Sequence, residues 1–151
     1  MNESKSSVAV NTFQGGYNCS QSVFSTFAPD YGLSMDMSMK LAGPFGAGIA
    51  RRQETCGAVT GALMALGLKY GKGEEGTDED KKRAFDMSKR LVAAFEAKYG
   101  SISCLKLLDG HLMDTEAGAA AIASEDMFRT RCAEFVRFAV EKTEKLLAET
   151  K

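Results

Sequence analysis

The chain contains no tryptophan, a single histidine, two prolines and no Cys-x-x-Cys pair in 151 residues. Each shortage closes a route. Without a Cys-x-x-Cys pair there is no thioredoxin-type motif and no ordinary zinc ribbon or finger; without CxxCH there is no c-type haem attachment site. His111 has no second imidazole to form a catalytic pair and falls in an irregular stretch, so it reads as a surface residue. A net excess of charge of either sign is also lacking: 19 basic residues face 20 acidic ones, a formal balance of −1. With no basic excess to displace counterions from phosphates, nucleic acid is not an expected partner. No stretch approaches the roughly eighteen consecutive apolar residues of a membrane span, so no direct membrane insertion is expected. Met1 to Gly16 holds only scattered apolar side chains (Val8, Ala9, Val10, Phe13) and no secretory h-region, which makes a cytoplasmic protein the expectation.

What is present is ordinary for a globular domain: 44% hydrophobic and 26% charged residues. A chain of this length is about one domain, 1–151, and buries roughly two-thirds of its unfolded surface without disulfide staples. Strand-like alternation is scarce and helical spacing recurs, so the fold class is all-α, a single-domain bundle of about five to seven helices. Residues 1–15 read as a loosely ordered or short helical N-terminus. Asn18 caps a helix to about Ala28, and Ser34 starts another from Met35 to Ala42 that Gly43-Pro44 ends. Gly43 to Arg52 is a glycine-rich loop with neither a Walker lysine nor a preceding strand, so no nucleotide is expected there. Thr55 reads as the cap of a helix to Tyr70, and glycines between Lys69 and Thr77 mark an exposed connection. An amphipathic helix spans Asp78 to Tyr99 and stops at Gly100. A short helix starts near Ser103, and the stretch from Gly110 to Gly118 has no firm assignment. A last helix, about Ser124 to Ala148, buries Phe128, Cys132, Phe135 and Val136.

Cys19, Cys56, Cys104 and Cys132 lie far apart. In a reducing compartment, four cysteines in a chain that needs no staples point to metal binding or redox chemistry. Asn18, Thr55 and Ser103 each precede a cysteine and are preferred caps, which puts Cys19, Cys56 and Cys104 at first helical positions. Unpaired N–H groups and the positive end of the helix stabilise a thiolate there, so these three are expected to be acidified below about 8.5. Cys132 differs, lying inside a helix on an apolar stripe beside Arg131. The bland alternative is four small buried hydrophobes. Arg51 and Arg52 either add positive potential near a thiolate or, more simply, are solvated. Met35, Met37 and Met39 are most simply core filler, with a soft-metal site the weaker option.

Gly57 and Gly61 stand four apart within a helix, where each glycine costs about 1 kcal/mol relative to alanine. They point to a close approach, by a packed helix or by a cofactor or partner cysteine. The runs Gly16-Tyr17-Asn18-Cys19-Ser20-Gln21, Gly46 to Arg51, and Cys56-Gly57-Ala58-Val59-Thr60-Gly61-Ala62-Leu63, followed by Cys104 and Cys132, carry a likeness. They closely resemble the redox-active four-cysteine proteins built around a CGAxxG motif, the C_GCAxxG_C_C family, over about Tyr17 to Val140. The resemblance implies a helical fold and a redox role. It makes Cys19, Cys56, Cys104 and Cys132 the signature residues, catalytic or metal-ligating, with Gly57, Ala58 and Gly61 as candidate cofactor-binding positions. Encoding near transporter genes is also implied, so a redox partner protein or a transporter component is an implied partner, and a homo-oligomer is compatible with it. A related domain occurs in split-Soret cytochromes, but haem is not carried over, for want of CxxCH. Two chemistries stay open at almost equal weight. One is thiol–disulfide exchange by a thiolate, expected at Cys56, which would make the protein a thiol–disulfide oxidoreductase. The other is an iron–sulfur cluster on four thiolates, an electron-transfer or sensor module. Structural zinc and a non-catalytic interaction protein follow.

Overall fold

The computed structural model describes residues 3–149; the expected span 1–151 also takes in Met1, Asn2, Thr150 and Lys151, which lie outside the described residues. The described residues form eight α-helices and no strand, one helix more than the upper expectation. They are α1 (Lys5–Gln14), α2 (Cys19–Phe27), α3 (Met35–Ala42), α4 (Gly57–Tyr70), α5 (Asp78–Tyr99), α6 (Cys104–Leu107), α7 (Glu116–Ser124) and α8 (Ala133–Leu147). Among the described residues no helix is long and apolar enough to cross a membrane. The N-terminal stretch is a regular helix: Ser4 caps α1 by accepting from the Ser7 N–H, and α1 packs on α8 and α2 with Ala9 and Val10 buried.

α4 is the central helix. Ala58, Val59, Ala62, Ala65, Leu66 and Tyr70 are all fully buried, so its apolar surface runs nearly all the way round, as an enclosed helix requires. It packs on α2, α5 and α8. Each fully buried Val or Leu in such a core contributes about 1.5–3 kcal/mol. The glycine pair sets how closely α2 approaches. A Cβ on Gly61 would lie 2.8 Å from the Ser20 carbonyl oxygen; one on Gly57 would lie 3.0 Å from the Ser20 nitrogen and 3.2 Å from Cys19 Cβ. The close approach is therefore made by the backbone of α2.

α5 starts in a capping box, where Thr77 Oγ1 accepts from the Asp80 N–H at 3.2 Å and Asp80 Oδ2 accepts from the Thr77 N–H at 2.9 Å. Its buried Phe95 meets Phe135 of α8, with ring centroids 5.8 Å apart, and Tyr99 meets the same ring at 4.8 Å. α8 is held at its far end by Tyr70, whose hydroxyl donates to the Leu146 carbonyl at 2.6 Å.

Three expectations need correcting. Thr55 does not cap α4. Its backbone is extended and paired antiparallel with Ser103, so the helix begins one residue later with Cys56 as N-cap. The bridge offers backbone partners on both sides, which a capping hydroxyl does not match. The last helix is not continuous from Ser124. α7 ends there, the chain turns at Asp126 (φ 51°), and a π-helical turn, Phe128–Cys132, leads into α8. The wider turn shifts the helical register, and Phe128 is 47% exposed rather than buried. Met35 and Met37 are not core filler: they lie on the outer face of α3, 52% and 53% exposed, while Met39 is half-buried.

Candidate functional site

Each cysteine is placed by a different local device. Cys19 opens α2 behind a capping box: the Gln21 N–H donates to Asn18 Oδ1 at 2.9 Å, and the Asn18 N–H donates to Gln21 Oε1 at 3.1 Å. The other ends of both amides reach across the fold. Asn18 Nδ2 donates to the Gly43 carbonyl at 2.9 Å and Gln21 Nε2 to the Met39 carbonyl at 3.1 Å. The cap is thus also a clamp on the end of α3, and it fixes the first turn that carries Cys19. Gly46 makes room for it, since a Cβ there would fall 2.2 Å from the Asn18 side chain.

Cys56 and Cys104 flank the bridge. The Cys56 N–H donates to Ile102 at 2.7 Å and the Cys104 N–H to Glu54 at 2.6 Å. The bridge sets the two cysteines on adjacent backbone segments, one at the start of each helix. Ser103 caps α6 as expected and puts Cys104 at its first position. Cys132 sits where the π turn passes into α8.

The sequence-distant cysteines meet. All four line one cavity of about 170 Å³, walled by Phe13, Leu107, Leu108, Met113 and Phe135. Cys56 and Cys132 are buried, while Cys19 and Cys104 are half-buried. All four thiols are free, and Cys19 and Cys132 act on each other's titration. Among the described residues, no three or more His, Cys, Asp or Glu side chains are placed to hold a metal ion. Gly57 also lines the cavity; Ala58 and Gly61 do not, and Gly61 faces α2.

The mouth is marked by the exposed lining residues Phe128 and Arg51. Arg51 donates to Asp114 Oδ1 through both Nε (3.1 Å) and an Nη (2.7 Å), tying the 46–54 loop to the segment before α7. Arg52 is solvent-facing, with a loose 3.8 Å contact to Glu54, the simpler of the readings given it. The loop has an unusual backbone. Ala47, Gly48, Ile49, Ala50 and Arg51 all have φ between 52° and 70°, a left-handed turn in which four residues are not glycine. Each such residue costs roughly 1–2 kcal/mol, and strain of this kind gathers at functional sites.

Gln53 holds the turn in place and was not singled out from sequence. It is 4% exposed; its Nε2 donates to the His111 carbonyl at 2.9 Å and its Oε1 accepts from the Met113 N–H at 2.7 Å. His111 is accordingly half-buried and works through its backbone. A lone glutamine in a glycine-rich stretch carries no pattern that would mark it. Asn18 and Gln21 did carry one, the three-residue spacing of a capping box.

The expected acidity of the helix-start thiols is overturned. Burial raises Cys56 from the ordinary thiol value near 9 to about 12, against the opposing pull of the Ala58 and Val59 N–H groups. Burial likewise raises Cys104 to about 11. Cys19 is raised because its thiol hydrogen-bonds to Cys132, with burial and the three neighbouring sulfurs adding to it. Only Cys132 is lowered, first by that hydrogen bond and then by Arg131, with burial opposing. Desolvation of a sulfur anion outweighs the field of a helix terminus in an apolar cavity.

Fold and site together define a helical protein with four converging, unbonded thiols around an apolar cavity. The chain belongs to the family described as "Putative redox-active protein (C_GCAxxG_C_C)", whose model matches residues 17–146. Neither the curated proteins nor the solved structures gave a match.

Proposed function

We propose that the Cys19–Cys132 pair is the redox dithiol, with Cys132 as the reacting thiolate and Cys19 as the resolving thiol. The observation that carries this reading is that all four free thiols line one cavity, in which Cys19 and Cys132 perturb each other's titration. A thiolate is the nucleophile in exchange, and Cys132 alone among the four is shifted toward that form. Cys56, the nucleophile favoured from sequence, is held as a thiol by burial.

In the oxidising direction the Cys132 and Cys19 sulfurs form one S–S bond and pass two electrons and the Cys19 proton to a two-electron acceptor, a small disulfide (reduced to two thiols) or another oxidant of that capacity. In the reducing direction an external thiolate attacks the Cys132 sulfur and expels Cys19 as a thiolate, which takes a proton from water. A second external thiolate then attacks the first external sulfur in the mixed disulfide, and Cys132 leaves as the thiolate. The test is Cys19→Ser, treated with bis(2-hydroxyethyl) disulfide, a neutral disulfide small enough to reach the cavity. A mixed disulfide trapped on Cys132, seen by intact mass and peptide mapping, supports the reading. Trapping at Cys56 instead, or no thiol lost in wild type, overturns it.

Ligation of an iron–sulfur cluster by the same four thiolates is the second reading, favoured by the shared cavity. It requires the sulfurs to converge further, since no three of them are set as ligands. Iron and labile sulfide analysis of anaerobically purified protein decides between the two.

A further inference from the structure

We propose that the four-cysteine cavity is the binding site of a small neutral quinone ring, which accepts the electrons of the dithiol. The proposal rests on the redox reading of Cys19 and Cys132, and it adds the chemical class of the oxidant.

Size is the first constraint. The cavity holds about 170 Å³, and an apolar cavity of about 150 Å³ admits benzene. A single ring enters, its substituents reaching toward the mouth at Phe128; a tripeptide disulfide or a protein's cysteine loop does not. The wall is the second. Leu107, Leu108, Met113 and Phe135 surround the sulfurs, and no acidic residue or lysine lines the space. Its one charged lining residue, Arg51, is already engaged by Asp114 at 2.7 Å. A charged oxidant would lose its hydration here without a counter-charge, a cost far above that of burying the two carbonyl oxygens of a neutral ring. Electron count is the third. Forming one S–S bond releases two electrons, and a quinone takes up two in becoming a hydroquinone. In that step the Cys19 S–H bond breaks and the Cys19–Cys132 bond forms. One ring oxygen takes the Cys19 proton and the other takes a proton from water.

The test uses duroquinone, whose fully substituted ring blocks addition of thiols to ring carbons. Reduced full-length protein is mixed with duroquinone or with glutathione disulfide, and hydroquinone formation and free thiols are followed together. The expected result is saturable oxidation, two thiols lost per hydroquinone, with glutathione disulfide slower at equal concentration. Leu107→Phe, which fills the cavity, is expected to lower kcat/KM for duroquinone by about tenfold or more. Should that variant melt early, Phe128→Trp at the exposed mouth is read instead and is expected to slow the same reaction. A quinone with an isoprenoid tail in phosphatidylcholine vesicles separates the sources. Oxidation by duroquinone alone supports a soluble quinone, and oxidation by both supports a membrane one. If glutathione disulfide oxidises the protein as fast, or both variants react as wild type, the quinone site is overturned and the dithiol stands. If no oxidant removes thiols, the dithiol reading itself falls.

Discussion

Two glycines of α4 should respond to alanine with opposite signs. At Gly67, which is exposed and has nothing within 4 Å of the added Cβ, alanine only improves the helix. The gain is about 1 kcal/mol from propensity and a narrower unfolded ensemble, or about 2–4 °C in Tm for a chain of this size. At Gly61 the same gain meets a Cβ 2.8 Å from the Ser20 carbonyl oxygen and 3.1 Å from Val23 Cβ. Ordinary contact needs about 3.5 Å, so α2 must retreat by about 0.7 Å, and its neighbour is rigid backbone. Overpacking of this kind costs about 1–3 kcal/mol; at the upper end, which rigid backbone favours, the net loss is about 2 kcal/mol. Gly61→Ala is therefore expected to melt about 4–8 °C lower than wild type. Circular dichroism melts of both variants, reduced and at equal concentration, are the assay. If Gly61→Ala melts at or above wild type, α2 and α4 are not in backbone contact and the approach of Cys19 to Cys56 loses its cause.

Four further outcomes are expected. Iodoacetamide at pH 7 should label Cys132 before the other three in folded protein, and peptide mapping after short exposure checks the order. Because Cys56 and Cys104 are raised to about 12 and about 11, the unfolded chain ionises first as pH rises. Their contribution is complete below pH 9 or so and is lost as pH climbs toward 12, which denaturant titrations across that range will show. Gln53→Glu places a carboxylate oxygen where Nε2 now donates to His111; a loss of about 1–3 kcal/mol in urea midpoint stability is expected. Tyr70→Phe removes the hydroxyl that donates to the Leu146 carbonyl and should cost about 1 kcal/mol by the same measurement.

Much of the fold was legible because its cues are local. Asn18, Ser34, Thr77 and Ser103 cap where their side chains allow, and Gly100 adopts φ 86° where α5 stops. The misreadings share a different cause. Thr55 has the chemistry of a cap, but a segment some fifty residues away supplies backbone partners, and nothing in its neighbours announces that. α7 is made of Glu-Ala-Gly-Ala-Ala-Ala-Ile-Ala-Ser, too uniform to show a buried face, and buries only Gly118 and Ile122. The left-handed turn at 47–51 is written in alanine, isoleucine and arginine, residues that ordinarily avoid that region. Only tertiary support, with Gln53 fixed at both amide ends, makes it tolerable. In the site, the convergence of the cysteines followed from the motif, whereas their acidity did not.

That acidity is where local and global physics part. A helix N-terminus offers a thiolate at most about 2 kcal/mol even in a favourable, partly buried setting. One pKa unit is about 1.4 kcal/mol, so the field alone moves a thiol by little more than one unit. Burial in an apolar cavity acts in the other direction by up to about 3–5 units, and Cys56 rises by the difference. Packing four thiols together compounds the effect, since each sulfur anion would repel the next. A cluster of this kind therefore admits one thiolate at a time, and it settles where a hydrogen-bond donor and a cation coincide. Cys132 has both, in Cys19 and Arg131. The helix starts at Cys19, Cys56 and Cys104 then act as mounts that bring sulfur to the cavity, and the one cysteine shifted toward the charged form is the one without such a mount.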